Sequence, residues 1–410
     1  RFTYKCAKPE TIRINEKQEQ LRIRLVKILK FLEDPRHPCL GPHLWLLSLV
    51  GFWHPKESKL SRLKLALAYF TIVFFVSQYI KCLIRFDADS LKLILQYAPF
   101  HMGVAKTCFF LINYKKWERL IRFISAEEVH QITKKDKIQD GILDDYINRS
   151  RRVTYFFWAL AFFSNFSIFT EPYQKNQIND NGTSVYVYIF DGYTPFERDP
   201  PGYYYSMFVQ TVLGHTMSAY VVSWDMLVIS IMIFFAGQLR MSRLYCKRAV
   251  DLESTENSHR NIAKCHRFHT TLVKYQAVFN DLISPLMFIY LVVICVSLGV
   301  CIIQIAEVKD DFPTFVSGCL FIMACLIQLL LFYWHGNEVT VESQLVRYST
   351  FKCNWVDADK SVQKEIMLLA QTTSKRLVFR AGPFNEMSLT TFIAILRSSY
   401  SFYTLLKETN

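Results

Sequence analysis

A chain of 410 residues that is 51% hydrophobic and 15% aromatic, with 34 Phe and 22 Tyr, is too apolar for an ordinary soluble protein. The net charge of +13 does not indicate nucleic acid: Lys and Arg stand between apolar runs of spanning length rather than on one module, the mark of membrane topology. The eleven cysteines are divided between apolar runs and basic segments, without zinc-site spacing or a disulfide framework, so neither a metal nor a cofactor is expected.

Residues 1–61 are basic and polar, and their charged first forty residues carry no signal-peptide pattern. The first residue is Arg1 rather than Met, which leaves the true start of the chain open. The spacing of Leu21, Ile23, Leu25, Val26, Ile28, Leu29 and Leu32 predicts an amphipathic helix lying against the membrane or the bundle, ended by Pro35, Pro38 and Pro42. Leu44 to Gly51 is apolar but too short to span.

Seven spans are predicted, at about 62–84, 91–113, 152–170, 203–237, 268–306, 314–335 and the terminal run from about 386. The fourth, roughly 50 Å as a continuous helix, extends past the bilayer. Only the part of the fifth from Leu282 onward is free of charge. Segments 1–61, 114–152, 237–270 and 336–385 hold about 36 Lys and Arg together, against about 5 in the alternate loops and the tail. The expected fold is therefore an all-α membrane protein of seven transmembrane helices, with the N-terminus cytoplasmic and the C-terminus extracellular. The sequon Asn181-Gly182-Thr183 in the loop at 171–202 fits this orientation and makes Asn181 a glycosylation candidate. Asn165-Phe166-Ser167 inside a span and Asn148-Arg149-Ser150 on the cytoplasmic side read as chance matches.

Three ionisable groups stand inside spans: Lys106, His215 and Asp225. Lys106 either snorkels to the inner interface or pairs with Asp225 across adjacent spans. No nucleophile-plus-base constellation, metal-ligand set or internal repeat supports an enzyme or a transporter.

In the last span, Ala394, Arg397, Ser398, Ser401, Thr404, Leu405 and Glu408 recur at three- and four-residue steps and share one face. Such a stripe is either a packing surface of small residues or a water-facing wall. Glu386 and Glu408, the acids of this stretch, each lie about three turns from Arg397, too far to pair with it.

The same segment resembles a family. Ala381-Gly382-x-Phe384, Met387-Ser388-Leu389, Phe392, Ile395-Leu396 and the run from Ser399 to Leu406 are similar to the C-terminal signature of insect odorant receptors. The resemblance is close from Ala381 to Leu406 and otherwise one of length, hydropathy and topology. It implies an odorant-binding subunit of a ligand-gated, non-selective cation channel in the dendritic plasma membrane of olfactory sensory neurons. Such subunits form a hetero-oligomer, a tetramer, with a shared coreceptor. The short loop at 237–270 matches the odorant-specific subunit, because the coreceptor carries a long insertion there. A gustatory-type channel subunit shares the architecture but has a different last span. A G-protein-coupled receptor has the opposite orientation and an Asp-Arg-Tyr and an Asn-Pro-x-x-Tyr that this chain lacks.

On this resemblance the chain divides into a cytoplasmic segment 1–61, a ligand-binding bundle 62–335, a subunit-anchoring segment 336–385 and a pore-lining helix with its tail, 386–410. Spans two, four and six run inward and span three outward, so depth selects Tyr97, Phe100, His101, Phe162, Phe163, Phe166, Phe208, Thr211, Val212 and His215 for the outer half. Aromatic and aliphatic walls with a few polar groups suit a small volatile, aromatic or heteroaromatic, although aromatic residues at helical spacing also build ordinary cores. Ser398, Ser401 and Thr404 would line the pore, and Leu405 would form the hydrophobic gate. Tyr348 and Trp355 would anchor the subunit interface, with Val346, Ile366, Met367, Leu368 and Leu369 on its apolar side.

Overall fold

The computed structural model describes residues 32–54, 58–84, 88–134, 136–175, 177–178, 184–190, 196, 199–307 and 312–409. The predicted amphipathic helix before Leu32, apart from Leu32 itself, and the candidate Asn181 lie outside the described residues.

Ten helices and two short hairpins follow one another among these residues. They are α1 (Gly41–Leu49), α2 (Lys59–Ile84), α3 (Ala88–Ile112), α4 (Tyr114–Ile132), α5 (Lys137–Lys175), β1 (Gln177–Ile178), β2 (Ser184–Val185) and α6 (Gly202–Lys247). After these come α7 (Thr255–Glu307), α8 (Phe312–Thr350), α9 (Lys360–Thr372), β3 (Arg380–Ala381), β4 (Asn385–Glu386) and α10 (Leu389–Thr409). The seven expected spans coincide with α2, α3, α5, α6, α7, α8 and α10. Helices with at least one window long and apolar enough to cross a membrane are found in α2, α5, α6, α7 and α8, and the described part of α3 adds a shorter apolar stretch, His101–Ile112.

The helices overrun the apolar windows. The basic segments expected as loops are largely helical: α6 continues to Lys247 and α7 begins at Thr255, leaving only 248–254 as the connection. Hydropathy marks where a helix leaves a bilayer, whereas helix ends are set by backbone capping and packing below it. The amphipathic α4 shows why the polar part stays helical. Trp117, Leu120, Ile121 and Ile124 are buried at three- and four-residue steps, with Lys115, Lys116, Arg119 and Arg122 on the remaining circumference. Pro42, read as a helix terminator, instead sits in the first turn of α1, where a missing N–H costs nothing.

Helix α6 is the axis of the bundle. It packs on α1, α3, α5, α7 and α8, and every residue from Ser223 to Leu239 is buried. In its first half, the one expected from the sequence to lie outside, Tyr204, Tyr205, Phe208, Val212 and His215 are exposed. The axis is pinned at mid-depth by the pairing of Lys106 with Asp225 at 2.6 Å, both side chains buried. Gln328 of α8 donates to the second carboxylate oxygen, and Lys106 Nζ lies 4.8 Å from the Tyr290 ring centroid. Pairing, not snorkelling, is the outcome for Lys106. Further in, Arg240 bonds Asp145, Glu338 and Glu342, Arg149 bonds Glu338, and Arg243 bonds Glu342, joining α5, α6 and α8.

The stretch before α1 is inserted beneath α4 and α5. Cys39 N donates to Glu128 Oε2 at 3.1 Å, and the Tyr146 hydroxyl donates to Glu128 Oε1 at 2.9 Å. Burial outweighs both donors and pushes the Glu128 carboxyl up to about 7. Burial likewise raises the Cys39 thiol far above its ordinary range. The His43 ring meets Ser230 Oγ at 2.7 Å, and Ser230 meets Ser150 at 2.8 Å.

Candidate functional site

At the end of the bundle where α5 meets α6, the described part of their connection folds inward. Ile189 and Phe190 are buried there. Gln210 on α6 clamps Phe190 through both backbone groups: Phe190 N donates to Gln210 Oε1 at 3.2 Å, and Gln210 Nε2 donates to Phe190 O at 3.0 Å. Tyr203, in the first turn of α6, holds the same connection by donating to Val187 O at 3.1 Å. Beneath this plug the Phe190 ring meets Phe75 of α2 at 5.4 Å and His101 of α3 at 5.6 Å, both edge-on. Phe169 of α5 lies 6.4 Å from Phe190 and stacks on His215 at 4.4 Å. His215 Nδ1 is 2.8 Å from the Thr211 carbonyl, which can only accept, so this nitrogen carries the proton. Two hydroxyl oxygens in this half of α6, Ser206 Oγ and Thr211 Oγ1, are buried with no hydrogen-bond partner among the described residues.

Of the residues chosen by depth, the structure thus gathers His101, Thr211 and His215 around or next to one aromatic cluster. Phe162, Phe163 and Phe166 lie elsewhere, on an exposed strip of α5 where their rings touch one another. The inward positions on that helix are Phe157, Ala161, Ser164 and Ile168. Phe208 and Val212 are also exposed, on α6. Tyr97 and Phe100 belong to α3 but lie outside the residues whose side chains are described. Phe75, Phe169, Phe190 and Gln210 were not anticipated. Phe75 and Phe169 sit in predicted spans without a feature to distinguish them, and Phe190 is in a loop with no periodicity to read. Gln210, a polar side chain in the outer turns of a spanning helix, is the one that could have been found. A separate cleft of about 60 Å³ lies deeper between α5, α6 and α8, walled by Ser164, Asn165 and Ser218 and floored by Asp225 and Gln328.

The terminal helix is held by a hairpin. Gly382 has φ +74°, a conformation unfavourable for residues with a Cβ, and its N–H donates to the Ser284 carbonyl at 3.0 Å. Arg380 N donates to Asn280 Oδ1 at 2.8 Å, and Gln276 donates to Val378 O at 2.9 Å, so α7 grips the strand along its length. On α8 the approach of Met387 requires Gly336, because an added Cβ would lie 2.9 Å from the Met387 Cβ. Phe379 buries its ring between Phe235 and Phe279. The helix therefore starts at Leu389 rather than near Asn385. Glu386 is on β4, paired with Arg376 at 2.9 Å.

Beyond the hairpin, α10 packs on α7 and α8, with Ile395 and Ser399 buried. Ala394, Arg397, Ser398 and Ser401 are exposed on another side, and Thr404 is partly exposed. The Ser398, Ser401 and Thr404 hydroxyls donate back to the carbonyls of Ala394, Arg397 and Ser401. The hydroxyl stripe is thus not the surface by which α10 packs within its own chain. The Leu405 side chain lies outside those described.

In the segment 336–385, Val346, Ile366 and Leu369 are buried, whereas Met367 and Leu368 are exposed. Tyr348 is 65% exposed, and half-buried Trp355 rests edge-on against Phe351 at 5.9 Å. The expected single apolar side is two faces, one turned into this chain and one outward.

Seven long helices with ionic and hydroxyl groups paired inside them define a heptahelical membrane protein. The 7tm odorant receptor family model matches residues 91–400, and the chain belongs to this family. Among relatives, odorant receptor 10 of Aedes albopictus is 25% identical over 40% of this chain and 43% of its own length. Odorant receptor Or2 of Anopheles gambiae is 23% identical over 74% of this chain and 80% of its own length. The fold is that of the insect olfactory receptor OR5 from Machilis hrabei. Its structure in complex with eugenol gives a TM-score of 0.77 at 14% identity, covering 90% of this chain and 98% of that one. A second structure of OR5 gives a TM-score of 0.78 at 15% identity, covering 95% of this chain and 99% of that one.

Proposed function

We propose that this chain is the odorant-binding subunit of a heteromeric, odorant-gated, non-selective cation channel. It works with an olfactory coreceptor in the dendritic plasma membrane of insect olfactory neurons, with its N-terminus cytoplasmic and its C-terminus outside. The observation that carries the reading is the arrangement of α10. One side is fixed to its own chain through Ile395 and Ser399, while the Ser398 and Ser401 side is left exposed, as a subunit contributing one wall of a shared pore requires. The orientation is supported by the Lys and Arg bias and by Asn181.

The ligand pocket is the region under the Phe190 plug, bounded by Phe75, His101, Phe169 and Thr211. Aromatic walls with an unpartnered Thr211 hydroxyl match a small aromatic volatile carrying one polar group. The Machilis receptor, whose structure was determined with eugenol, offers a precedent for such a ligand. Phe208, Val212, Phe162, Phe163 and Phe166 then form outer surfaces rather than the innermost wall. Tyr348, Trp355 and the exposed Met367 and Leu368 serve as the subunit contact, since aromatic anchors dominate interface cores. Odorant binding favours the open state through a difference in affinity between the two conformations, and Leu405 closes the pore by dewetting.

Whole-cell recording tests this, with a volatile panel applied to cells expressing the chain alone, with a coreceptor, or as Leu405→Ala with the coreceptor. Fast cation current only on co-expression, insensitive to G-protein block, is the expected result, with an altered baseline in the variant. Silence in all combinations despite surface expression removes the channel reading.

A further inference from the structure

We infer that Cys246 and Cys265 form an oxidisable thiol pair, closed to a disulfide by a small peroxide that enters beside Cys265. Cys246 lies in the last turns of α6 and Cys265 in the first part of α7, on either side of the short connection 248–254. Their Sγ atoms are 3.1 Å apart, one thiol donating to the other, and both are free cysteines in a buried setting. A disulfide bond is about 2.05 Å, so closure requires about 1 Å of movement, within the reach of side-chain rotation and slight helix adjustment.

Buried thiols are normally inert because the oxidant cannot reach them. Here a way in exists. Cys265 forms part of the wall of a cleft of about 640 Å³ between α4, the start of α5, the end of α6 and the start of α7. Lys134, Arg248, Lys264 and Arg267 line the cleft, with Glu127 the acid among its lining residues. The contact between the two sulfurs favours the thiolate, the nucleophilic form, at Cys246, while the same contact and burial hold the Cys265 thiol far above its ordinary range, so Cys265 serves as the hydrogen-bond donor. The cleft lies on the Lys- and Arg-rich side of the bundle, where thiols are held reduced at rest, so a pair of this kind responds to a rise in oxidant rather than serving as a permanent staple.

The chemistry balances with hydrogen peroxide as the two-electron oxidant. The Cys246 thiolate attacks one peroxide oxygen, the O–O bond breaks, and the departing hydroxide takes a proton to become water. Cys265, 3.1 Å away, then attacks the Cys246 sulfur of the sulfenic acid, the S–S bond forms and a second water leaves. Two thiols are oxidised to one disulfide and one peroxide is reduced to two waters. The product ties α6 to α7 at the end remote from the Phe190 plug.

The test uses the full chain in membranes of co-expressing cells, treated with hydrogen peroxide, blocked with a maleimide and digested with trypsin without reductant. The sequence places Cys246 in the peptide Leu244–Lys247 and Cys265 in Cys265–Arg267. The expected result is a joined species of these two peptides that rises at least tenfold on treatment and disappears with dithiothreitol. Cys246→Ser and Cys265→Ser each abolish it. Failure of the joined species to form at peroxide doses that fully oxidise a cysteine-containing peptide added to the same membranes would overturn the proposal. So would its replacement by a pairing of either residue with Cys353. Because the wild-type measurement stands alone, misfolding of a variant does not rescue the idea.

Discussion

The two halves of α6 solve opposite problems. From Ser223 to Leu239 the helix is enclosed on all sides, and its charged and amide groups and Ser230 are paired: Asp225 with Lys106 and Gln328, Ser230 with His43 and Ser150, Gln238 with Gln131 and Tyr146, while Trp224 Nε1 and the nearby Tyr290 hydroxyl have no partner among the described residues. From Gly202 to Val222 the helix alternates buried and exposed positions and leaves the Ser206 and Thr211 hydroxyls unpartnered. Paired charged and amide groups specify one arrangement, whereas a half-exposed surface with unmatched hydroxyls is open to a guest. On the proposed function, the difference separates a frame from a receptive site along a single helix.

The comparison breaks most sharply at Asp225. Asp225→Ala strands the Lys106 ammonium in a dry site, so a loss of about 3–5 kcal/mol is expected, read as thermal unfolding of the detergent-solubilised chain and loss of surface expression. Lys106→Met combined with Asp225→Leu recovers most of it; wild-type stability in the single variant would show that the inner half is not the frame.

Next in size is a pH effect at Glu128. Its folded value is raised to about 7 from an ordinary 4.5, so the folded chain holds a proton that the unfolded chain releases. Stability therefore falls as pH rises from about 4.5 toward 7, by at most about 1.4 kcal/mol per unit, and levels off above. Glu128→Gln removes that slope, and an unchanged pH dependence of unfolding would refute the assignment.

Smaller and confined to the outer half, Gln210→Ala releases the Phe190 plug at a cost of about 2 kcal/mol. The expected signature is a change of about tenfold or more in half-maximal odorant concentration with little change in the unfolding of the inner half. Thr211→Val is smallest: unfolding unchanged, and a few-fold weaker response to odorants with a polar group but not to apolar ones. Equal shifts for both odorant classes would remove Thr211 from the pocket.

What could be read from the sequence follows the same division. Seven spans were legible because bilayer thickness imposes a length, and the Lys106–Asp225 pair was legible only as one of two alternatives, because isolated charges in spans have few partners but a lysine near a span end also reaches the interface. The direction of the residues proposed for a pocket was not legible: Phe162, Phe163 and Phe166 lie on the exposed side of α5, and an aromatic-rich helix has no polar face to tell inside from outside. The Phe190–Gln210 clamp depends on a loop returning to a helix, a contact without periodicity. The helical course of the basic segments was hidden because hydropathy reports the membrane boundary and not the backbone.

Helix α6 also acts on a scale that none of its contacts reveals. Its 46 residues at about 1.5 Å each make a rod of about 69 Å. Asp225 stands near its middle, so a tilt of about one degree about that level carries each end by about 0.6 Å, in opposite directions. The rings around Phe190 and the thiol of Cys246 therefore sit at the two ends of one balanced beam and are displaced by equal and opposite strokes.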